Sequence, residues 1–446
     1  MSMAKTVFVC GECGTTALRW SGKCNDCGSW NSLVEQLQEG SKSKGGATSN
    51  ALKTTSLQDI SSSQDEPRLD TKVEELNQVF GGGIVPGSLT LLAGEPGVGK
   101  STLLLEMSAN LAASGKVLYV SGEESVHQIK LRARRLDVDM SDLELVSSTD
   151  IDAVVATIQK HDYAFVVVDS IQTMQTEELR SNSGTVSQIS GSTHKLQDVA
   201  KAKDTAILIV GHVTKEGSIA GPKILEHLVD VVLYLEGERF GSFKLLRGVK
   251  NRYGSTHEVG IFEMQERGMS PVKNPSERFL DERQPGDGSV VFATIEGTRA
   301  LLVEVQALVS RSPFGYPKRT AVGFDLNRLN LLIAVLSRRA GIDLADKDVY
   351  VNIVGGMRLS EPAADLAVAM AIASAAKKKP VVESSVVFGE VGLSGEIRSV
   401  SDSEKRIKEA KKLKFQQAFA PRGKDTSKFI KPTKTLEEAL KYGLSK

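Results

Sequence analysis

Residues 94–101 read Gly94-Glu95-Pro96-Gly97-Val98-Gly99-Lys100-Ser101, a Gly-x-x-x-x-Gly-Lys-Ser loop. Glycines at this spacing let successive backbone N–H groups turn inward around phosphate oxygens, and a following helix N-terminus adds the positive end of its dipole. Lys100 is expected at the β- and γ-phosphates of ATP, with the Ser101 hydroxyl on Mg²⁺. The expected nucleotide contacts are therefore Gly94, Glu95, Pro96, Gly97, Val98, Gly99, Lys100, Ser101 and Thr102. A second pattern, Phe165-Val166-Val167-Val168-Asp169-Ser170, is an apolar run ending in an acid. A buried strand of that kind delivers a carboxylate to the sheet edge where ligands gather, so Asp169 is the expected Mg²⁺-side acid. Hydrolysis also needs a group to polarise water. Val120-Ser121-Gly122-Glu123-Glu124 supplies two candidates, each of which also reads as a surface charge. His212, after Ala206–Val210 and Gly211, reads either as a γ-phosphate sensor or as a structural histidine.

All four cysteines lie in the first 27 residues, as Cys10-Gly-Glu-Cys13-Gly14 and Cys24-Asn-Asp-Cys27-Gly28. Two such knuckles give the tetrahedral four-sulfur set that Zn²⁺ prefers. A segment this short cannot bury enough apolar area to fold alone, so the metal would supply folding energy. A redox pair or disulfides is the competing reading, and the paired spacing argues against it. Phe8, Arg19, Trp20, Lys23 and Trp30 read either as contacts to nucleic acid or protein or as the small core of this module.

The elements that must position these groups follow from the apolar pattern. Ser88–Ala93 reads as a buried strand entering the loop, and Thr102–Ala113 as the helix leaving it. Further strand-like runs at 117–120, 164–168, 206–210 and 229–235 alternate with helical patterns, which argues for a doubly wound, mostly parallel α/β sheet. Gly40 to about Gln64 is Ser/Lys/Gly/Thr-rich and reads as a flexible linker. The Pro/Asp/Glu-rich passage Asn274–Gly288 separates a third region with its own strands and helices. The expected divisions are a zinc-binding domain (1–35), a linker (36–66), an ATPase domain (67–275) and a C-terminal α/β domain (285–446). Lys and Arg (56) nearly balance Asp and Glu (55), so a nucleic-acid site would have to be a local stripe or an assembled channel. The N-terminus lacks the apolar core of a signal peptide, and Leu366–Ala376 is too short to span a bilayer. A cytoplasmic chain with no membrane segment is expected. Lys250-Asn251-Arg252-Tyr253-Gly254 reads either as a solvated strand end or as a positive finger directed at a neighbouring subunit's phosphates.

Together these features resemble the bacterial RadA (Sms) DNA-repair ATPases over essentially the whole chain. The residues that carry the resemblance are the four-cysteine knuckle, Gly81-Gly82-Gly83-x-x-Pro86-Gly87, the phosphate loop, Val-Val-Asp-Ser and Lys-Asn-Arg. Tyr253 stands where the family has Phe. The resemblance implies a RecA-like core with the Lys-x-Arg fingers of hexameric DnaB helicases. It implies Glu123 as catalytic base, and Lys250 and Arg252 acting on ATP bound by the adjacent subunit of a homo-hexamer. It further implies DNA-binding loops at Arg180–Gly191 and Thr214–Pro222, with Lys215 and Lys223 on phosphates; the Gly/Ser content of both segments by itself reads as mobile. The implied partners are single-stranded DNA, branched recombination intermediates and the RecA recombinase. Ser360-Glu361-Pro362-Ala363-Ala364-Asp365-Leu366 and Phe388–Glu396 make the C-terminal region similar to the Lon protease fold. Ala363 occupies the nucleophile position and Glu404 the lysine position, so a proteolytically inactive scaffold is expected, with Arg311, Lys318 and Arg319 along a DNA path.

Overall fold

The computed structural model describes residues 5–10, 15–17, 19–30, 32–38, 68–140, 142–212, 222–237, 243–313, 315–422 and 428–445. Cys13, the linker beyond residue 38, and residues 214–221 of the second expected DNA loop, Lys215 included, lie outside them. Two compact units divide the chain: residues 1–235 with 248–255 and 266–268, and residues 236–247 with 256–265 and 269–446. No helix among the described residues is long and apolar enough to cross a membrane.

In the first unit, β1 (Lys5–Cys10), β2 (Thr16–Ala17) and β3 (Leu33–Gln38) form an antiparallel sheet in the order β2-β1-β3. After α1 (Glu74–Phe80) comes a wound α/β arrangement of β4 (Leu89–Gly94), α2 (Lys100–Ala112), β5 (Val117–Ser121), α3 (Val126–Leu136) and β6 (Leu143–Ser147). It continues through α4 (Ile151–Lys160), β7 (Phe165–Asp169), α5 (Val186–Lys203), β8 (Ala206–His212), α6 (Pro222–Leu228) and β9 (Val231–Glu236). The strands run β9-β4-β8-β7-β5-β6, all parallel. Parallel strands are covered on both faces, which is why β4, β5 and β7 are apolar runs buried at every position. Helix entries are fixed locally. Ser125 and Gln128 form a reciprocal capping box on α3, and the Asp150 carboxylate caps α4.

The segment Arg180–Gly191, expected as a mobile Gly/Ser loop, becomes helix α5 from Val186 onward. The buried Gln188 amide staples the preceding turn. It accepts from Thr176 N at 2.9 Å and donates to the carbonyls of Thr176, Leu179 and Ser181. Gly191 serves packing here: a Cβ on it would lie 2.7 Å from Leu179 Cδ1.

The second unit contains β10 (Phe243–Asn251, through Arg247), β11 (Val259–Gln265) and β12 (Gly268–Pro271, from Met269). Next comes α7 (Pro275–Leu280), inside the passage expected as a separator. Pro275 opens this helix, and Phe279 is buried edge-on against Phe243 with ring centroids 4.6 Å apart. An anchored aromatic therefore turns a polar-looking stretch into part of the core. The remaining elements are β13 (Ser289–Glu296), β14 (Arg299–Arg311), β15 (Arg319–Val322), α8 (Leu326–Arg339), β16 (Lys347–Ile353), α9 (Asp365–Lys377), β17 (Ser385–Val387), β18 (Glu390–Val391) and β19 (Ile397–Arg398). α10 (Ser403–Lys412), β20 (Gln417–Ala420), β21 (Ile430–Pro432) and α11 (Leu436–Gly443) complete the chain. The seven-stranded sheet runs β15-β16-β14-β13-β17-β20-β21, and α9, buried from Asp365 to Ala375, fills its core.

Two arginine–carboxylate pairs sit in this core. Arg406, with no exposed surface, holds Glu361 through both oxygens, donates to the carbonyls of Ala293 and Ser401, and lies about 6 Å from the rings of Phe292 and Phe388. Arg328 holds buried Asp365 in the same two-pronged way. Removing one member of such a pair leaves an uncompensated buried charge. Glu361→Ala is expected to destabilise the unit by about 3–5 kcal/mol in denaturant unfolding. Lys405→Ala, which loses only the exposed contact to Asp402, should stay within about 0.5 kcal/mol of the parent.

Candidate nucleotide site and metal centre

β4 runs buried to Gly94, and the chain then turns outward through exposed Glu95, Pro96 and Gly97 before α2 begins at Lys100. Gly97 and Gly99 take φ of 80° and 113°, which side-chain-bearing residues rarely adopt. A Cβ on Gly94 would lie 2.5 Å from the Leu235 carbonyl oxygen, so that position admits only glycine. Lys100 is 4% exposed, and its Nζ donates to Gly94 O at 2.7 Å and Glu95 O at 3.0 Å. Two of three ammonium donors are thus used, leaving one for a phosphate oxygen. Burial pushes Lys100 down to about 8, against the pull of the Asp169 and Glu123 carboxylates. Ser101 and Thr102 follow, half-buried, in the first turn of α2.

The acids converge on the same sheet edge. Ser121 and Asp169 are register partners at the ends of β5 and β7, and Gly94 and His212 are partners at the ends of β4 and β8. Because β8 lies between β4 and β7, His212 stands between the phosphate loop and Asp169. Asp169 Oδ2 accepts a 2.8 Å hydrogen bond from the Tyr119 hydroxyl. Burial and that carboxylate hold the phenol well above its usual range, so it stays a donor. Gly122 N donates to Asp169 O at 2.8 Å, and a Cβ on Gly122 would collide with Thr173 Oγ1.

The two adjacent acids part company here. Glu123 Oε1 accepts from Ser170 Oγ at 2.6 Å and lies 3.3 Å from His212 Nε2. Glu124 turns away to pair with Arg132 on α3. His212 Nδ1 and Gln172 Oε1 are buried with no hydrogen-bond partner among the described residues. Such orphaned polar atoms beside a phosphate loop fit a site built to receive a polar ligand. Tyr119 and Ser170 were not anticipated from sequence. The available signal was a hydroxyl inside the apolar run Val117–Ser121 and another directly after Asp169.

Lys250 and Arg252 sit at the other end of β4. Lys250 Nζ donates at 2.7 Å to the carbonyls of Glu226 and Val229, and Arg252 pairs with buried Asp230 at 2.9 Å. Burial, then the neighbouring Arg252, pushes Lys250 below its usual range. Asp230 Oδ2 in turn accepts from Leu89 N at 3.0 Å. Leu89 and Gly94 are the two ends of β4, about 17 Å apart at strand rise. This string therefore lies at the opposite sheet edge from its own phosphate loop.

In the N-terminal module the sulfurs of Cys10, at the end of β1, and of Cys24 and Cys27, between β2 and β3, lie within 4.8 Å of one another, with Cys10 and Cys27 3.6 Å apart. An ion bound tetrahedrally at about 2.3 Å spaces sulfurs by about 3.8 Å. A disulfide would bring them to about 2 Å. The set fits a metal. Gly28, at φ 75°, closes the second knuckle with its N–H donating to Cys24 O at 3.0 Å.

A parallel sheet that gathers a phosphate loop, a strand-end aspartate and a nearby glutamate on one edge defines a RecA-like P-loop ATPase, here with an added cysteine metal ribbon. The chain belongs to the RadA family of bacterial DNA repair proteins. It is 49% identical to DNA repair protein RadA of Bacillus subtilis (strain 168), over 94% of this chain and 93% of that one. It is 48% identical to that of Listeria monocytogenes, over the full length of both, and 47% identical to that of Pseudomonas aeruginosa, over 95% and 94%. Family models match at residues 8–35 (rubredoxin metal binding domain), 53–218 (AAA domain) and 318–424 (subunit ChlI of Mg-chelatase).

Two outcomes follow from the geometry. Glu123→Gln should lower ATP turnover by at least about 10²-fold with nucleotide binding retained, whereas Glu124→Gln should stay near the parent rate; steady-state ATPase and equilibrium nucleotide binding separate the two. With Lys100 at about 8, the unfolded chain holds more protons at this position between pH 8 and about 10.4, so the free protein gains stability from it as pH rises through that window. Polyphosphate stabilises the charged form, so nucleotide binding at pH 8 should take up about half a proton. Calorimetry in buffers of different ionisation enthalpy measures that uptake, and a buffer-independent enthalpy contradicts it.

Proposed function

We propose that this chain is an ATP-driven DNA motor of homologous recombination and repair. It binds single-stranded DNA and extends recombination intermediates by branch migration with the RecA recombinase, as a cytoplasmic homo-hexameric ring. The observation that carries this reading is the position of Lys250 and Arg252 at the sheet edge away from their own phosphate loop. From there the two cations act on phosphate only in a neighbouring subunit, which makes hydrolysis a property of a ring. The reading divides the chain into a zinc domain (1–35), a linker (36–66), the ATPase domain (67–275) and a Lon-protease-like domain (285–446).

In the proposed site, Gly94 to Thr102 wrap the triphosphate, and Lys100 contacts the β/γ oxygens. Ser101 and Asp169 hold Mg²⁺, which supplies positive charge to the phosphate oxygens. Glu123 takes the proton of the attacking water as the water oxygen bonds to the γ-phosphorus and the bond to ADP breaks. His212 senses the γ-phosphate from the end of β8. Cys10, Cys13, Cys24 and Cys27 hold Zn²⁺.

Peptide hydrolysis is not part of the reading. Ala363 offers no nucleophile in its buried turn, Glu404 is exposed, and Lys405 pairs with Asp402. Casein degradation in the presence of ATP would overturn that exclusion.

The deciding experiment mixes variants. Lys100→Ala and Arg252→Ala are each expected to abolish DNA-stimulated ATPase and strand unwinding. Their mixture should recover turnover, because some interfaces then join an intact loop to an intact finger. No recovery on mixing, or ATPase indifferent to single-stranded DNA, would sink the ring motor.

A further inference from the structure

The described residues of the cysteine-bearing module bury few apolar side chains. Among its described residues only Cys10, Cys24 and Leu33 form a buried apolar cluster, with Phe8 and Ala17 partly against it. Yet Trp20 and Trp30 are 57% and 74% exposed. They are the only two tryptophans of the chain. A buried indole removes more apolar area from water than any other side chain, and a small metal-held module gains most from burying one. Both rings point outward instead.

Arg19 directly precedes Trp20 in an exposed stretch, and Lys23 Nζ lies 5.7 Å from the Trp30 ring centroid. The Trp30 backbone bridges antiparallel to Lys23, and a methyl added at Gly22 would lie 3.9 Å from the ring. Exposed indoles in a segment that also carries ammonium and guanidinium groups are the chemistry of single-strand recognition, in which bases stack and phosphates meet the cations. A protein pocket would take the indoles without needing the charges.

We propose that Trp20 and Trp30 form a base-stacking platform for single-stranded DNA on the cysteine metal-ribbon module, between β2 and β3. It adds a DNA contact outside the ATP-bearing sheet and rests on the motor reading for its choice of ligand.

Because the chain has no other tryptophan, intrinsic emission of the full-length protein reports on this platform alone. Labelled oligo(dT) anisotropy measures overall DNA binding in parallel. Oligo(dT) is expected to quench the emission on binding. Trp30→Ala should weaken oligo(dT) binding about tenfold, and Trp30→Phe should restore most of it, with metal content and DNA-free ATPase unchanged. If oligo(dT) binds but emission and the affinity of a Trp20→Ala/Trp30→Ala double variant stay at parent values, the platform is wrong and the motor stands. If the parent binds no oligo(dT), both readings fall. Quenching by purified RecA but not by DNA would make the surface a protein-docking face and overturn the proposal.

Discussion

Lys100 carries an ammonium into a place with almost no water, where the carbonyls of Gly94 and Glu95 take over its solvation. A buried charge is tolerated only when its surroundings are fixed in advance. Much of the first unit reads as that fixing. β4 delivers Gly94, and no larger residue fits there because the Leu235 carbonyl of β9 passes so close. The two carboxylates that offset the burial, Asp169 and Glu123, come from the end of β7 and just beyond the end of β5. Widening the gap between β4 and β9 would move the phosphate loop and undo the solvation together.

β4 also links two ends of the unit. Its C-terminal end holds the loop, and its first amide is tied to Asp230, which holds Arg252. Six residues of strand, buried at every position, join these ends. A rigid rod of this kind transmits displacement instead of absorbing it, as close packing requires. In the proposed ring, a shift of Arg252 against a neighbour's phosphates would reach the subunit's own loop through one strand.

The loop and Asp169 were legible in sequence because each is a short local pattern whose flanking strand and helix lie within a dozen residues. Strand bounds came within one or two residues for the same reason. The choice between Glu123 and Glu124 was not legible from the residues themselves. It depends on Arg132, eight positions on, reaching back from α3, and on Ser170 arriving from another strand. Tyr119 was hidden because a tyrosine in an apolar run looks like core until its register beside β7 is known. The Arg180–Gly191 segment misled for a related reason. Gly and Ser content signals freedom only where nothing packs on the chain, and here Gln188 and Leu179 do.

The motif Ser360–Leu366 ties the second unit together through its acids. Its proline opens a short helical turn ahead of α9, and its two acids are held by arginines: Glu361 by Arg406, Asp365 by Arg328. Glu361 also accepts from Thr294 Oγ1 at 2.7 Å and Ile295 N at 3.0 Å. One carboxylate thus joins β13, the turn before α9, and α10. Burial raises the Asp365 carboxyl even with Arg328 bound, while the hydrogen bond to Asp365 raises the Arg328 guanidinium; a buried pair of this kind is weak evidence for net stability. Its value is positional. A bidentate arginine accepts one arrangement of its carboxylate, and with two such locks at its N-terminal end α9 can lie only one way across the sheet.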